Sequence, residues 1–342
     1  MDSKARRRVQ FVLGVLLSAT GLVLALRGVN WLAFGELVRQ VRLGWLLAAI
    51  VIEMCTLWLN AIRWRWLFWP HAQPGVGRLF GILNAAQLAN TVLPGHLGLP
   101  LRVLLVGQGG QVSRATALTT LAVEKALEGV TLFIVGIVLC LVLDLPDWLR
   151  LSAALSGCLL LGLLLIVGSG LRWRERFLGW MSGWASCEAP PPSGGGLSRA
   201  RIRFFHFTQS LFDGLDSLRS LPVVWRLWIL SWLYWAAVAA VTGSVMHSVG
   251  LEVTLPVILV LLFVLQIGLR LPSSPGSVGV FEYLGIVSLS IFGIDKTSAL
   301  GAMLLLHLVF SLPPSLVGVG YLIWTSTGIG QLRGAALMLE EQ

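Results

Sequence analysis

Charged side chains are scarce in this chain of 342 residues, of which only 12% are Asp, Glu, Lys or Arg. Soluble domains carry about 25% charged residues. Hydrophobic residues make up 56% of the chain, and tryptophan alone occurs 15 times. This composition argues against a soluble domain and predicts a multi-pass membrane protein.

Cysteine is also rare. The four cysteines lie far apart, at Cys55, Cys140, Cys158 and Cys187, a spacing that supports neither a disulfide framework nor a metal site. The sequence also has no nucleotide-binding loop, no cluster of metal ligands and no serine–histidine dyad. We therefore expect no cofactor and no metal, and we do not expect an enzyme.

Long apolar runs, in contrast, are frequent. A helix needs about 20 apolar residues to cross a bilayer. Five charge-poor runs meet this requirement, the second of them interrupted by Glu53: 9–26, 43–62, 151–171, 227–251 and 297–327. Residues 122–143 make a sixth candidate span. The expected fold is an all-α integral membrane protein with about six transmembrane helices.

Basic residues outnumber acidic residues by 25 to 16, which gives a net charge of +9. Most of them fall in short loops beside the apolar runs, so the positive-inside rule accounts for them and no nucleic acid is expected as a partner. This distribution predicts that both termini are cytoplasmic. It leaves three basic residues at membrane depth, Arg102, Lys125 and Arg270.

The segment ASCEAPPPSGGGLSRA at 185–200 is rich in proline, glycine and serine. Such a composition does not form a packed element, so we expect a flexible cytoplasmic linker there. It separates a first membrane half, 1–184, from a second half, 201–342. Directly after the linker, apolar residues recur at spacings of three and four, which predicts an interfacial helix over 201–220.

A short motif, P-G-x-x-G, occurs once in each half, as PGHLG at 94–98 and PGSVG at 275–279. Proline removes a backbone donor and glycine permits positive φ, so each motif should break a helix within the membrane. Freed backbone groups cannot face lipid. We therefore expect two re-entrant broken-helix pairs, over 79–107 and 255–292, which enter from opposite sides as an inverted repeat. In transporters built this way the substrate site lies where the repeats meet.

Several acidic residues and one histidine also lie at membrane depth, where ionisable groups usually mark a pathway. They are Glu53, Glu124, Glu128, Glu282 and His307. Glu124 and Glu128 are one helical turn apart and share a face, while Lys125 should point elsewhere. This pair could act on a substrate or merely neutralise nearby arginines, and both alternatives stay open. Glu53 is expected to pair with an arginine for structural reasons.

Glu282 follows the second motif at the start of a helix. It could cap that helix or meet a positive group, such as Arg102 or a cationic headgroup, across the repeat interface. We expect the second arrangement.

Several ordered segments resemble the lysylphosphatidylglycerol synthase transmembrane-region family, whose members are called flippase-like. The resemblance covers about 10–325 and is carried by LNAIRWRWL (59–67), NTVLPGHLGLPLR (90–102), SRATALTTLAVEKALEGVTL (113–132) and LPSSPGSVGVFEYL (271–284). SPGSVGVFE, which begins at Ser274, is the most specific of these motifs. By position, the polar and helix-breaking residues that match the family are Arg63, Asn90, Pro94, Gly98, Arg102, Glu124, Pro275, Gly276, Gly279 and Glu282. Leu99 and His307 depart from the family pattern.

The resemblance implies a transporter that moves a lipid with a polar headgroup, an aminoacylated phospholipid or a glycolipid, between leaflets of a prokaryotic plasma (inner) membrane. We expect Arg102, helped by Lys125 or Arg270, to hold the lipid phosphate. Two alternatives remain: an intramembrane transferase acting on a lipid-linked sugar, with Glu124 or His96 as its base, and a non-transporting partner of a cell-envelope enzyme. Homo-oligomer formation also stays open.

The charge topology makes a direct prediction about which side each loop faces. A single cysteine introduced at Ser193 should react with a membrane-impermeant maleimide only from the cytoplasm, and one at Val253 only from outside. Labelling in intact cells and in inverted vesicles measures this. The reverse pattern, or equal labelling from both sides, would overturn the topology.

Overall fold

A computed structural model of the chain describes residues 16–71, 73–93, 97–108, 110, 112–186, 208–269 and 274–325. Within these ranges all regular structure is helical. The helices are α1 (Leu16–Leu26), α2 (Trp31–Arg39), α3 (Leu43–Leu67), α4 (Val76–Val92), α5 (Gly98–Gly107), α6 (Arg114–Val142), α7 (Asp147–Ser186), α8 (208–213), α9 (Leu221–Ser248), α10 (Leu255–Gly268), α11 (Val280–Ser290) and α12 (Lys296–Trp324).

Four of these helices, α3, α6, α9 and α12, are long and apolar enough to cross a membrane. They contain most of the predicted runs 43–62, 122–143, 227–251 and 297–327. A fifth span results if α1 and α2 count together, although they meet at an angle of 88°. The predicted run 151–171 lies within α7, which is 40 residues long. The described residues thus support four or five spans, and the expected count of six is not confirmed.

The two P-G-x-x-G motifs do interrupt helices. The first lies between α4 and α5, and the second between α10 and α11, with α5 and α10 only 10 and 14 residues long. At 1.5 Å per residue these helices extend about 15 and 21 Å, less than the hydrocarbon thickness of about 30 Å. In each pair the two helices pack against each other. Each motif therefore joins two packed helices, of which at least one is too short to span a membrane; in the second pair α11, with 11 residues, is also too short.

The last glycine of each motif stands where the chain packs too closely for a side chain. Gly279 caps the start of α11 with a φ of 88°, and a Cβ there would lie 2.2 Å from the carbonyl oxygen of Ser18. A Cβ on Gly98, the first residue of α5, would lie 2.6 Å from the carbonyl oxygen of Ala86. Such distances allow only glycine without a shift of the backbone.

The two interrupted segments also approach each other. A Cβ on Gly276 of the second motif would lie 3.5 Å from the carbonyl oxygen of Thr91, near the end of α4. α12 packs along α4 so closely that Gly318 has no room for a Cβ beside Asn84. α3 and α9 form another extensive contact between the two halves of the sequence. Helices from the first half of the sequence therefore pack directly against helices from the second half.

The segment expected to form an interfacial helix is described only from residue 208 onward. There it forms the short helix α8 and a 3₁₀ turn, Asp216–Arg219, in place of one continuous helix. Leu215 and Leu218 pack against the core formed by α3, α4, α5, α6 and α9. Most of the expected linker, 187–200, lies outside the described residues.

Candidate functional site

Five charged side chains from three helices meet inside the protein, and we call them the charged cluster. Arg63 comes from α3 and Arg102 from α5, while Glu124, Lys125 and Glu128 come from α6. Helical geometry places Glu124 and Glu128 on one face, as the sequence predicted. All five were singled out from the sequence, but their partners were not.

Each carboxylate of the charged cluster binds two cations. Arg102 makes two hydrogen bonds to Glu124, of 2.6 Å from Nη2 and 3.2 Å from Nη1. Arg63 donates to Glu128 over 2.9 Å and lies 3.5 Å from Glu124. Lys125 does not point away as expected, because residues three apart on a helix are neighbours, and its Nζ lies 2.7 Å from Glu128. Three cations thus face two carboxylates, which leaves one positive charge in excess.

Each of the two arginines lies over the face of an aromatic ring. The guanidinium of Arg102 lies 4.1 Å from the ring centre of Trp64, and that of Arg63 lies 4.7 Å from the ring centre of Tyr234. Trp64 is itself fixed by a hydrogen bond of 3.2 Å from its Nε1 to Thr120. Cation–π contacts of this kind strengthen where water is excluded. Both arginines are therefore positioned before any ligand arrives.

Burial differs sharply within the cluster. The side chains of Arg63 and Glu124 are 0% and 1% exposed, whereas that of Lys125 is 44% exposed. Charges buried this deeply persist only when they are paired. The cluster therefore runs from a fully enclosed ion pair at Arg63 to an accessible ammonium at Lys125.

A cavity of about 620 Å³ lies against this cluster. This volume is in the usual range of ligand sites. The lining residues come from both halves of the sequence, and Leu99 and Lys125 are exposed at the protein surface. The lining consists of Leu57, Asn60, Leu83, Ala86, Gln87, Asn90, Gly98, Leu99, Arg102, Glu124, Lys125, Glu128, Tyr234, Gln266 and Leu269.

Four polar residues of this lining were missed in the sequence: Asn60, Gln87, Tyr234 and Gln266. Neutral amides and a tyrosine in apolar helices follow no spacing rule that marks them as functional. Asn60 had the best indication, since it stands one helical turn before Arg63. It is 7% exposed, and its Oδ1 has no hydrogen-bond partner among the described residues.

Asn90 shapes the cavity as well as lining it. Its Oδ1 accepts a hydrogen bond of 2.8 Å from the backbone N–H of Gly98, at the start of α5. The first turn of a helix has N–H groups without helical partners. Asn90 therefore fixes the break between α4 and α5, and thereby the position of Arg102 one turn further along α5.

Glu282 has partners other than the expected Arg102. One carboxylate oxygen accepts from the backbone N–H of Gly279 over 2.6 Å, which forms a helix cap, and the other lies 2.6 Å from Nδ1 of His307. The expected pairing with Arg102 is wrong, because the two carboxylate oxygens of Glu282 bind Gly279 and His307. Glu282 and His307 thus form a second pair, in which Glu282 is buried and His307 is partly buried. Contact of Glu282 with a cationic headgroup stays a prediction.

The other predicted residues of the second motif, Ser274, Pro275, Gly276 and Gly279, precede Glu282 in the break between α10 and α11. Ser274 donates its backbone N–H to Ser18 over 2.9 Å. None of Ser274, Pro275, Gly276, Gly279, Glu282 and His307 is among the described residues that line the cavity. Their role in substrate binding stays a prediction. Pro94 and Arg270 lie outside the described residues.

Glu53 is buried, but no described arginine pairs with it, so the pairing expected for it is not found. His71, Asp213 and Asp216 are grouped closely enough to hold a metal ion. His71 is exposed and lies 3.3 Å from Asp216, which also neighbours Arg219. A histidine–aspartate hydrogen bond accounts for this grouping without an ion.

The central position of Arg63 predicts a large stability cost when it is replaced. Arg63→Met keeps much of the volume but deprives both glutamates of one partner. Because Arg102 and Lys125 remain, we expect a loss of about 3 kcal/mol, the lower end for a broken buried pair. Arg150→Met is the control, since Arg150 pairs with Asp144 at the surface. Thermal unfolding in detergent should show a clear drop for the first variant alone, and equal melting temperatures would contradict the structural role of Arg63.

Comparison with known proteins gives one family. Residues 11–318 match the family model described as the lysylphosphatidylglycerol synthase TM region. Comparison with curated proteins and with solved structures gives no significant match. The match indicates a membrane protein of the lipid-modification or lipid-transport type. Because it covers nearly the whole chain, the protein belongs to the lysylphosphatidylglycerol synthase transmembrane-region family.

Proposed function

We propose that the protein moves a lipid with a polar headgroup between the two leaflets of the membrane. The supporting observation is the cavity of about 620 Å³ that lies between the two halves of the sequence and against the charged cluster. A headgroup cannot cross the hydrocarbon region unless polar groups replace its water. The charged cluster and the neighbouring amides offer such groups.

The headgroup phosphate would bind on the side of the cavity formed by Arg102 and Lys125. The cluster carries one positive charge in excess, which suits an anion. Nε of Arg102 has no hydrogen-bond partner among the described residues, and Lys125 stands exposed at the rim. A guanidinium stays charged at depth and binds phosphate oxygens in a fixed geometry. The apolar Leu99, 40% exposed at the same cavity, would face the acyl chains of the lipid.

The helix breaks support an alternating-access mechanism. We propose that α4–α5 and α10–α11 are re-entrant pairs of an inverted repeat in a protein of about six spans, with both termini in the cytoplasm of a prokaryote. Their short helices, mutual contact at Thr91 and Gly276, and tight glycine contacts support this arrangement. In such folds one repeat rocks against the other around a site near the midplane.

An intramembrane transferase would need a group free to accept a proton. Glu124 is a poor candidate, because three cationic N–H groups of Arg102 and Arg63 surround it within 3.5 Å. Both carboxylate oxygens of Glu124 therefore already accept hydrogen bonds from the protein. This arrangement argues against Glu124 as the base of a transferase, and His96, the other candidate base, lies outside the described residues.

Replacement of Arg102 tests the proposed phosphate contact. Arg102→Ala should slow headgroup transfer in reconstituted vesicles by about 10- to 100-fold, the range for hydrogen bonds to a charged group. Arg102→Lys should restore only part of the rate, because an ammonium lacks the planar fork. The control is Arg39→Ala, which removes an exposed arginine of α2.

Loss of Arg102 also leaves Glu124 with one partner fewer, so a folding defect must be separated from a binding defect. The double variant Arg102→Ala/Glu124→Gln removes both charges and should melt near the wild type. If its transfer rate stays low, Arg102 acts on the lipid. If its transfer rate is normal, Arg102 serves only to neutralise Glu124 and the proposed role is wrong.

A further inference from the structure

The cavity lining holds information about the kind of headgroup that it accepts. The inference below rests on the proposed function, since it concerns the same cavity. The resemblance leaves two headgroup classes open, one with an added amino acid and one with a sugar. These classes differ in charge and in hydroxyl content, and the lining differs in its fit to each.

A cationic headgroup finds no free carboxylate in the described lining. Glu124 and Glu128 are its two acidic residues, and each already binds two cations of the protein. An added ammonium would compete with Lys125 or Arg102 for these carboxylates. It would also meet the excess positive charge of the cluster, which repels it.

Hydroxyl groups, in contrast, find partners that can both donate and accept. Oδ1 of the buried Asn60 is an acceptor without a partner among the described residues. Oδ1 of Asn90 is bound to Gly98, which directs its amide nitrogen to donate elsewhere. Gln87 donates to the carbonyl oxygen of Phe310 over 3.4 Å, which leaves its side-chain oxygen to accept. A hydroxyl group can satisfy both kinds of partner at once.

The charged residues and the amide residues of the cavity lining lie next to each other. Asn60 precedes Arg63 by one turn of α3, and Asn90 contacts Gly98, which precedes Arg102 by one turn of α5. A phosphate held at Arg102 would thus have the amides within reach of the group esterified to it. An unpaired buried acceptor such as Asn60 costs free energy until a donor reaches it.

We infer that the cavity recognises an anionic phosphodiester whose headgroup carries hydroxyls, a polyol or sugar phosphate, and discriminates against aminoacylated lipids. Arg102 and Lys125 bind the phosphodiester. Asn60 accepts a hydrogen bond from a headgroup hydroxyl and is the residue that sets this specificity.

Binding of short-chain lipids to the purified full-length protein in detergent tests this inference. The probes are dioctanoyl phosphatidylglycerol, phosphatidylmethanol, which lacks hydroxyls, and lysyl-phosphatidylglycerol, which adds ammonium groups. We expect phosphatidylmethanol to bind about three- to tenfold more weakly than phosphatidylglycerol, the range for a neutral hydrogen bond. The lysyl lipid should bind at least about tenfold more weakly than phosphatidylglycerol, because like charges meet in a medium of low dielectric.

Variants of Asn60 assign the effect to one side chain. Asn60→Leu should lower the affinity for phosphatidylglycerol to the level measured for phosphatidylmethanol. The affinity for phosphatidylmethanol itself should not change. Asn60→Asp should shift preference toward the lysyl lipid, because it adds the free carboxylate that the cavity lacks. Gln40→Leu, at an exposed amide outside the lining, is the control.

Two results would overturn the inference. One is an equal loss of affinity for phosphatidylglycerol and phosphatidylmethanol in Asn60→Leu. The other is tighter binding of the lysyl lipid than of phosphatidylglycerol by the wild type. A transfer assay with the same lipids separates this outcome from failure of the proposed function. If the lipids bind in the expected order but none is transferred, transport fails and the specificity stands. If the lysyl lipid is transferred fastest, transport stands and the specificity fails.

Discussion

The site depends on one buried interaction, the contact of Arg63 with Glu124 and Glu128. No part of the Arg63 side chain meets solvent, so its charge persists only because two carboxylates lie 3.5 and 2.9 Å away. These carboxylates sit one turn apart on α6, which fixes how α6 meets α3. Each then binds a further cation, and this draws α5 and the exposed Lys125 into the same network. The charge excess at the cavity follows from this constraint.

The two helix breaks position Arg102 and Glu282. Because Gly98 leaves room for Asn90 and Ala86, α5 can begin against α4 and carry Arg102 toward Glu124. In the second half, Gly279 lies against α1, and Glu282 caps α11 and binds His307. The two breaks share a motif but use their polar residues differently. In the first, a cation is directed into the cavity. In the second, the carboxylate of Glu282 binds the start of its own helix at Gly279 and His307 on α12.

The sequence predicted what depends on local rules. Apolar length identified the runs within α3, α6, α9 and α12, proline and glycine located both helix breaks, and helical spacing put Glu124 and Glu128 on one face. Partner choice was less predictable, because it depends on how distant helices pack. Glu282 binds His307 and not Arg102, and Lys125 reaches back to Glu128. The amides of Asn60, Gln87 and Gln266 were missed, since a neutral side chain in an apolar helix reveals its role only when a cavity forms beside it.

The proposed transport requires that a lipid headgroup contacts the cavity. Photo-crosslinking in membranes detects this contact, with an anionic lipid that carries a diazirine in its headgroup, followed by peptide mass spectrometry. If the headgroup enters the cavity, the cavity walls around Asn60 on α3 and Asn90 on α4 should be labelled, and that labelling should be lost when unmodified phosphatidylglycerol competes. Labelling confined to the lipid-facing surface, and unaffected by competitor, would contradict this contact.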